Sequence, residues 1–390
     1  MSAAMFMVPL RRMAGADENV AGLRVALAAH VVIRAFGLIL LYVAGLFNGE
    51  SAYYALTRWD ATWYRRIAEH GYGHVQVASD GRRLSDYAFF PLYPLAERAL
   101  SAVTWLPLVQ AGLVISAIAS LVAAAGIYRV GTHLHDARTG VILVCLWSSV
   151  PVAVVQSMAY TESLFTAFVA WSLYAILVHR YVLAGALAAL AGLTRAMSVA
   201  LVAAVVSAAL LGARERTQTP TGDPLDSRRS RLLGALLAPA GLVAYLAFVA
   251  WSKRRPLGYL DVASDWGNGI DGGRAFFAWL LQLLSDGRFL LGIALLLGLA
   301  LLGAAVGHTA SRGYPLPVFV FTLTAVLISL ATSNYFGSRP RYLLPVFTLL
   351  LWPSEGLATL ADRRVGLILV CLAIASGIYG AVWLYGAGPP

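Results

Sequence analysis

Charged side chains that could carry out chemistry are concentrated in one stretch of an otherwise apolar chain, residues 57–94. The stretch contains Asp60, Glu69, Asp80, Asp86, Arg58, Arg65, Arg66, Arg82 and Arg83. A carboxylate can act as a general base toward a hydroxyl group. The planar fork of arginine suits bidentate binding of phosphate, although a surface arginine is usually only solvated. This combination predicts a site for an anionic or phosphate-linked substrate.

The composition of the whole chain indicates a polytopic membrane protein. Of its 390 residues, 59% are hydrophobic and only 12% are charged, and the mean hydropathy is +0.73. Soluble proteins carry about 25% charged residues. Apolar runs of about 20 residues recur, and a helix of that length crosses the hydrocarbon of a bilayer. Both cysteines, Cys145 and Cys371, lie inside apolar runs, so neither a disulfide framework nor a metal spacing is available.

The apolar runs predict an all-α fold of about 11 transmembrane helices. They lie near residues 24–46, 107–128, 140–158, 161–178, 182–194, 196–212, 232–251, 289–307, 314–332, 341–360 and 365–385. Residues 88–105 fit either a re-entrant or an interfacial element. The N-terminus leads into an uncleaved first membrane helix.

The distribution of arginines favours a cytoplasmic N-terminus. A bare count of basic residues on the two sides does not decide the orientation. The positive-inside rule weighs short loops near helix ends, however, and most outer arginines lie in two long loops, 47–106 and 252–288. The polar loop 213–231 is then cytoplasmic and flexible, and 47–106 is the first extracytoplasmic loop.

Residues 57–70 are predicted to form a helix that lies along the membrane surface. Its apolar stripe consists of Trp59, Trp63 and Ile67. Such a stripe, with tryptophan at the headgroup level, is typical of an interfacial helix. Asp60 and Tyr64 lie one turn apart on a neighbouring face.

Asp60 has two interpretations. The spacing Thr57-x-x-Asp60 fits a capping box, in which the carboxylate serves only the start of the helix. Spacing alone favours that role. A carboxylate at the membrane surface near arginines is also where the reactive end of a lipid-linked substrate would lie, so both interpretations stay open.

Further polar side chains lie at helix ends on the predicted outer side. They are Asp86 in DYAFFPLYP, Glu162 in AYTES, Arg195 in LTR, and Arg339 and Arg341 in NYFGSRPRY. Asp86 beside an apolar run is either paired or functional. Glu162 fits either an acid favoured by a helix dipole or a carboxylate that faces the same cavity as Asp60. The arginines fit either snorkelling or a clamp on a phosphate.

Two other motifs are rejected as sites. Residues 267–272 form a G-x-G-x-x-G sequence but lie in a loop between membrane helices, whereas a dinucleotide site requires a βαβ unit. The sequence His133-x-His135-Asp136 is a short turn with no third ligand nearby, so a metal site is not expected there.

Four segments, taken together and in order, resemble the PIG-V family of mannosyltransferases. They are Trp59-Asp60 followed by IAEHGY, then AFFPLYP, then YTESLF with AGLTR, and then RPRYLLP. The resemblance spans roughly 55–355 and implies a GT-C-type transmembrane module over residues 1–390. It also implies a polyprenyl-phosphate-linked sugar donor and an extracytoplasmic active site, and it places the catalytic aspartate at Asp60. Family members often have Glu or Gln where this chain has Asp86-Tyr87.

The resulting hypothesis is a polyprenyl-phosphate-mannose-dependent α-mannosyltransferase in a bacterial plasma membrane. Asp60 is the general base, and the transfer inverts the donor linkage. The expected substrate contacts are Asp86, Glu162, Arg195, Arg339, Arg341, Arg65 and Tyr64, with Arg339 and Arg341 on the donor phosphate. The expected partners are the lipid-linked donor, a lipid or glycan acceptor, and membrane lipids, with no nucleic acid. No cofactor is implied with certainty, and a divalent metal (Mg or Mn) is compatible although no strong ligand set is visible.

Two other function classes remain open. A transporter or flippase of a lipid-linked anionic glycan would also use outer arginines, but it should place ionisable groups near the middle of the membrane at broken helices. Arg34 is the clearest ionisable residue inside an apolar run, whereas the acids cluster at helix ends. A structural subunit of an envelope assembly would not need Asp60.

Overall fold

The structure, a computed structural model, describes residues 16–211, 224–333 and 339–386. These residues form helices α1–α18, short strands β1–β4 and short 3-10 helices at Asp86–Ala88, Pro151–Ser157 and Phe347–Leu350. The helices are α1 Ala16–Asn48, α2 Ala52–Thr57, α3 Asp60–His70, α4 Leu92–Thr104, α5 Leu108–Leu134, α6 Ala137–Ser148, α7 Glu162–Leu177, α8 Tyr181–Gly192, α9 Ser198–Leu211, α10 Pro224–Leu237, α11 Ala240–Lys253, α12 Gly258–Asp265, α13 Arg274–Ser285, α14 Phe289–Ser311, α15 Leu316–Ala331, α16 Arg339–Leu343, α17 Leu351–Ala358 and α18 Asp362–Leu384. The strands are β1 Val75–Val77, β2 Arg83–Ser85, β3 Gly269–Ile270 and β4 Thr332–Ser333.

Each of the predicted apolar segments contains helix, so the all-α membrane fold is confirmed. Within the described residues, five helices are long and apolar enough to cross a membrane. They are Asn19–Asn48, Leu108–Leu134, Arg228–Lys253, Phe289–Ser311 and Asp362–Leu384. Shorter apolar helices of 10–17 residues are α7, α8, α9, α13 and α15. The protein is an integral membrane protein.

Three predicted spans are interrupted rather than continuous. The segment 232–251 is divided between α10 and α11, which together make the membrane-crossing stretch Arg228–Lys253. The segment 140–158 ends as α6 at Ser148 and continues from Pro151 as a 3-10 helix bent by 85°. The proline explains the break, because it removes a backbone donor and clashes with the preceding turn. The segment 341–360 is likewise divided between α16, a 3-10 helix and α17.

The predicted flexible loop 213–231 is partly helical. Residues 213–223 lie outside the described residues, but α10 begins at Pro224, so the prediction of a loop is wrong for 224–231. A proline suits the first position of a helix, where its fixed φ is helical and its missing N–H would have no partner.

The chain divides into two compact units. Of the described residues, 16–70, 92–180 and 350–386 belong to the first unit. In it α5 packs on α7 and α6, and α1 packs on α6 and α18. Small residues allow the close approach of these helices: a Cβ added at Gly126 would lie 2.8 Å from the Ala170 Cβ, and one added at Gly131 would lie 2.9 Å from the Gly140 Cα.

Of the described residues, 71–91, 181–211, 224–333 and 339–349 belong to the second unit. In it α8 packs on α10 and α11, and α9 packs on α15. Strands β1 and β2 form an antiparallel hairpin, with Val75 opposite Ser85. Strands β3 and β4 pair antiparallel, so residues 267–272 lie outside any βαβ unit, as the rejection of a dinucleotide site requires.

Candidate active site

The predicted helix over 57–70 is two helices in the structure, and Asp60 is the first residue of the second. Helix α2 ends at Thr57, and Arg58 is extended with φ −93° and ψ 177°. Trp59 then has φ 57°, in the left-handed region that bulky residues rarely occupy. Strained backbone of this kind costs free energy and persists only where the surrounding structure maintains it. Such residues cluster at functional sites.

The capping-box interpretation of Asp60 is wrong. The Thr57 hydroxyl donates to the Tyr53 carbonyl at 2.7 Å, which ties it to α2 rather than to the start of α3. Asp60 instead lies in the first turn of α3, where the helix dipole favours a carboxylate. The predicted stripe does exist on α3, because Trp63 and Ile67 are buried.

Tyr160 holds the backbone on both sides of the strained residue. Its hydroxyl oxygen accepts from the Asp60 N–H at 3.3 Å and donates to the Arg58 carbonyl at 3.3 Å. Tyr160 is 1% exposed and lies in the segment that leads into α7. The AYTES motif was predicted to contribute Glu162 alone to the site, so the role of this tyrosine was not predicted.

The start of α7 also positions two of the predicted substrate contacts. Glu162 is the first residue of α7 and is 1% exposed. The Tyr64 hydroxyl of α3 lies 3.3 Å from the Thr161 Oγ1. The structure therefore brings Asp60, Tyr64 and Glu162 together where α3 and α7 both begin.

Two buried polar side chains on α4, Tyr93 and Glu97, were not predicted from the sequence to belong to the site. Tyr93, on α4, donates to the Gly112 carbonyl at 2.7 Å and hydrogen-bonds with the Ser116 Oγ at 2.8 Å. Its ring centroid lies 5.1 Å from that of Tyr64. Glu97, one turn further along α4, is fully buried. A carboxylate at spacing i, i+4 from the tyrosine of the AFFPLYP motif was the available signal.

Burial raises the pKa of the Glu97 carboxyl to about 9, and the positive charge of Arg65 opposes this shift only in part. Arg65 itself is exposed on α3. The Tyr93 hydroxyl is also buried, and this burial, together with the charges of Glu97, Tyr64 and Glu162, raises its pKa.

Gly112→Ala is expected to destabilise the protein, because the added Cβ would lie 2.3 Å from the Glu97 Oε1 and 3.2 Å from the Tyr93 Oη. Overpacking of this kind costs about 1–3 kcal/mol. Thermal unfolding of the purified protein in detergent measures the loss. The double variant Gly112→Ala, Glu97→Ala should recover part of it, and a strictly additive pair would contradict the contact.

Two arginines of the 57–94 stretch, Arg58 and Arg82, have nearby partners. Arg58 pairs with Glu50 at 3.5 Å and lies 3.9 Å from the Trp59 ring centroid. Arg82 pairs with Asp80 at 2.7 Å in the turn between β1 and β2, and hydrogen bonds from Arg82 lower the pKa of Asp80. These contacts give Arg58 and Arg82 local structural roles.

Asp86 lies in the second unit and binds the backbone of a preceding turn. Its carboxylate accepts from the Gly73 N–H at 3.0 Å and from the His74 N–H at 2.8 Å. Gly73 has φ 126°, a conformation that favours glycine. Of the two roles open for Asp86, these bonds favour the paired, structural one.

Arg195 and Arg341, both in the second unit, lie near one aromatic ring. Their guanidinium carbons are 5.5 Å and 5.7 Å from the Tyr342 ring centroid. Arg341 is buried, and Arg195 is half-buried after α8. Two guanidinium groups close to one ring form a positive environment suited to an anion.

Arg339 is directed elsewhere, toward the C-terminal end of α15. Its Nη1 donates to the Ser329 carbonyl at 2.6 Å, and its Nη2 donates to the Thr332 carbonyl at 2.6 Å. These carbonyls belong to the last turn of α15, which lacks intrahelical donors. The guanidinium also lies 4.5 Å from the Phe276 ring centroid. This arrangement favours a helix-capping role over the phosphate clamp predicted for Arg339.

The segment that contains His133, His135 and Asp136 makes structural contacts. His135 Nε2 lies 3.0 Å from the Glu355 Oε1, and the Asp136 carboxylate caps α6 by accepting from the Thr139 N–H at 2.7 Å. Across the described ranges, no group of three or more His, Cys, Asp or Glu side chains is placed to hold a metal ion.

Part of the chain matches a known protein family. The model of a family described as dolichyl-phosphate-mannose-protein mannosyltransferase matches residues 100–222, less than half of the chain. No curated protein matches the chain. The family to which the chain belongs is therefore not fixed by sequence.

Two solved structures share its fold. ArnT from Cupriavidus metallidurans, bound to undecaprenyl phosphate, is 16% identical with a TM-score of 0.52, over 88% of this chain and 62% of that one. The archaeal oligosaccharyltransferase AglB from Archaeoglobus fulgidus, in complex with an inhibitory peptide and a dolichol-phosphate, is 12% identical with a TM-score of 0.51, over 94% of this chain and 56% of that one. The chain spans less than two thirds of either. These similarities confirm the predicted fold, which the chain shares with ArnT and AglB.

Proposed function

We propose that the protein is a glycosyltransferase that moves a mannosyl residue from polyprenyl-phosphate-mannose to a lipid-linked or envelope glycan acceptor. The observation that carries this proposal is the position of Asp60, which Tyr160 holds at the start of α3 beside a strained Trp59. The GT-C fold supports transfer chemistry. The polyprenyl phosphates bound by ArnT and AglB support the class of donor, and the resemblance to the PIG-V family supports mannose.

In the proposed reaction, Asp60 is the general base. Its carboxylate takes the proton of the acceptor hydroxyl as the acceptor oxygen bonds to the anomeric carbon of the donor. The bond from that carbon to the phosphate oxygen breaks, and the polyprenyl phosphate leaves with the electron pair. Attack from the opposite face converts a β-linked donor into an α-mannoside. Glu162 and Tyr64 are placed to orient a sugar near Asp60, and the membrane holds lipid-linked reactants in one plane.

The proposed location is the extracytoplasmic face of a bacterial plasma membrane, with the N-terminus inside. The concentration of arginines in two long loops supports this orientation. Labelling of single cysteines introduced at Glu69 and at Arg129, by a membrane-impermeant reagent on intact cells, tests it. Labelling at position 69 alone agrees with the proposal, and labelling at position 129 alone contradicts it.

Arg341 and Arg195 are the proposed ligands of the donor phosphate, because their guanidinium groups both lie near the Tyr342 ring and together form a positive environment. Arg341→Gln is expected to raise the KM for the lipid donor by roughly 10–100-fold, the value of a lost hydrogen bond to a charged group. Initial rates against donor concentration in detergent measure this change.

Arg339→Gln is the matched control for Arg341→Gln. It should lower the thermal stability and leave the KM of the folded fraction near the native value. If Arg339→Gln raised the KM and Arg341→Gln did not, the phosphate contact would return to Arg339.

The experiment that tests the proposed function is transfer of radiolabelled mannose from polyprenyl-phosphate-mannose in membranes, with several acceptor lipids. Membranes containing the native protein should form labelled glycolipid, and membranes containing Asp60→Asn at equal expression should not. Parallel reactions with a nucleotide-linked mannose and with a polyprenyl-phosphate-linked pentose test the donor class. No transfer from any lipid-linked sugar would refute the proposal.

One observation favours the alternative of a transporter or flippase, namely the broken helix at 148–151. In transporters such breaks leave backbone carbonyls available to the substrate. Here the Arg34 guanidinium donates to the Ser148 and Ala153 carbonyls, so the chain satisfies its own break. Protein-dependent movement of a fluorescent lipid-linked glycan across vesicles, without sugar transfer, would establish the transporter instead.

A further inference from the structure

Glu97 is a buried ionisable group of the first unit that the proposed reaction does not use. Its residue is 0% exposed, and neither carboxyl oxygen has a hydrogen-bond partner among the described residues. Burying a polar group without a partner costs free energy, and a charged one costs far more. A carboxyl group retained in such a place requires an explanation beyond packing.

The surroundings of Glu97 are defined by four helices. On its own helix α4 the neighbour is Tyr93, and on α5 it packs against Gly112, where an added Cβ would lie 2.3 Å from the Glu97 Oε1. From the other helices, Arg65 of α3 acts electrostatically on the Glu97 carboxyl, whereas Tyr64 of α3 and Glu162 of α7 act on the Tyr93 hydroxyl. The one cation among them, Arg65, is exposed, so water weakens its attraction.

Two acids therefore flank one buried tyrosine. Both Glu97 and Glu162 act electrostatically on the Tyr93 hydroxyl, and both are at most 1% exposed. The Glu97 carboxyl is fully buried, and this burial raises its pKa to about 9.

We propose that Glu97 is a positioning residue of the transfer reaction, which holds a proton and so keeps negative charge away from Tyr93 and Tyr64. Loss of that proton puts a negative charge next to the buried Tyr93 hydroxyl. This charge disturbs the packing of Tyr93 on Tyr64, and with it the Tyr64–Thr161 contact at the start of α7. The role in transfer rests on the proposed function, whereas the proton on Glu97 does not.

The first test compares the pH dependence of transfer by the native protein and by Glu97→Gln, which mimics the neutral acid in shape and charge. The native rate is expected to fall as the pH rises through about 9. At one pH unit above that value Glu97→Gln should retain about tenfold more of its neutral-pH rate than the native protein does. Glu69→Gln, at an exposed glutamate on α3, is the matched control and should follow the native profile. Coincident profiles for all three proteins would overturn the positioning role.

The second test does not depend on activity. Infrared spectra of the purified native protein should contain the carbonyl stretch of a protonated carboxylic acid at pH 7, and this band should disappear as the pH rises through about 9. Glu97→Gln should lack the band, and Glu69→Gln should keep it. If the native and Glu97→Gln spectra do not differ, Glu97 does not hold the proton and the inference is wrong. If the band behaves as expected but no protein transfers sugar, the failure belongs to the proposed function.

Discussion

Asp60→Asn is expected to lower the rate of mannosyl transfer by roughly 10²–10⁴-fold, the usual contribution of a general base. The substitution preserves the size of the side chain and its capacity to accept hydrogen bonds, but an amide cannot take the proton of the acceptor hydroxyl. Asp60 lies in the first turn of α3, where asparagine also fits well, so the stability should change little. Radiolabel transfer at equal expression, together with thermal unfolding, measures both quantities.

Two neighbouring substitutions separate catalysis from structure. Thr57→Ala should retain native transfer, because the Thr57 hydroxyl bonds only within α2. Tyr160→Phe should lower the rate in part, because it removes the hydroxyl that accepts from the Asp60 N–H. Transfer that persists undiminished in Asp60→Asn would move the base to Glu162. A loss of transfer in Thr57→Ala equal to that in Asp60→Asn would contradict a role of Thr57 confined to α2.

The helices were predictable because their signal is local. A membrane helix is recognised by the length of its apolar run, and the apolar stripe of α3 is recognised by the spacing of its residues. Both predictions agree with the structure. The break at Arg58-Trp59 was not predictable in the same way, because the stripe has the same spacing whether the helix is continuous or interrupted. Tyr160, a hundred residues further along the chain, holds that break.

The partners of charged side chains were the least predictable part of the candidate site. The motif containing Arg339 and Arg341 gives two arginines in one short turn, and spacing does not distinguish them. The fold does, because it places Arg339 at the open carbonyls of α15 and Arg341 near Tyr342. Asp86 was open between a paired and a functional role, and only the turn at Gly73 and His74 shows how it is paired.

Glu97 escaped the sequence analysis for a related reason. A single acid on an amphipathic helix normally faces water, and α4 has the apolar asymmetry of such a helix. Its burial depends on the close approach of α4 to α5, which Gly112 permits by having no side chain. Glycine spacing alone does not reveal which side chain will fill the space beside it.

Arg34→Met is expected to destabilise the folded protein strongly, although Arg34 is not one of the proposed substrate contacts. The Arg34 guanidinium donates to the carbonyls of Ser148 and Ala153, on the two sides of the break after α6. In the bilayer no water replaces these bonds. Each carbonyl left without a donor costs about 1–3 kcal/mol, so the two together should cost roughly 2–6 kcal/mol.

Thermal unfolding in detergent and the yield of folded protein measure this effect. Arg34→Lys should fall between the native protein and Arg34→Met, because a single ammonium group cannot span two carbonyls as the guanidinium fork does. Arg24→Met is the matched control, since Arg24 lies on α1 but is exposed, and it should have nearly native stability. Native stability in Arg34→Met would mean that the break does not need the guanidinium. If that variant also lost transfer while remaining folded, Arg34 would belong to the reaction rather than to the scaffold.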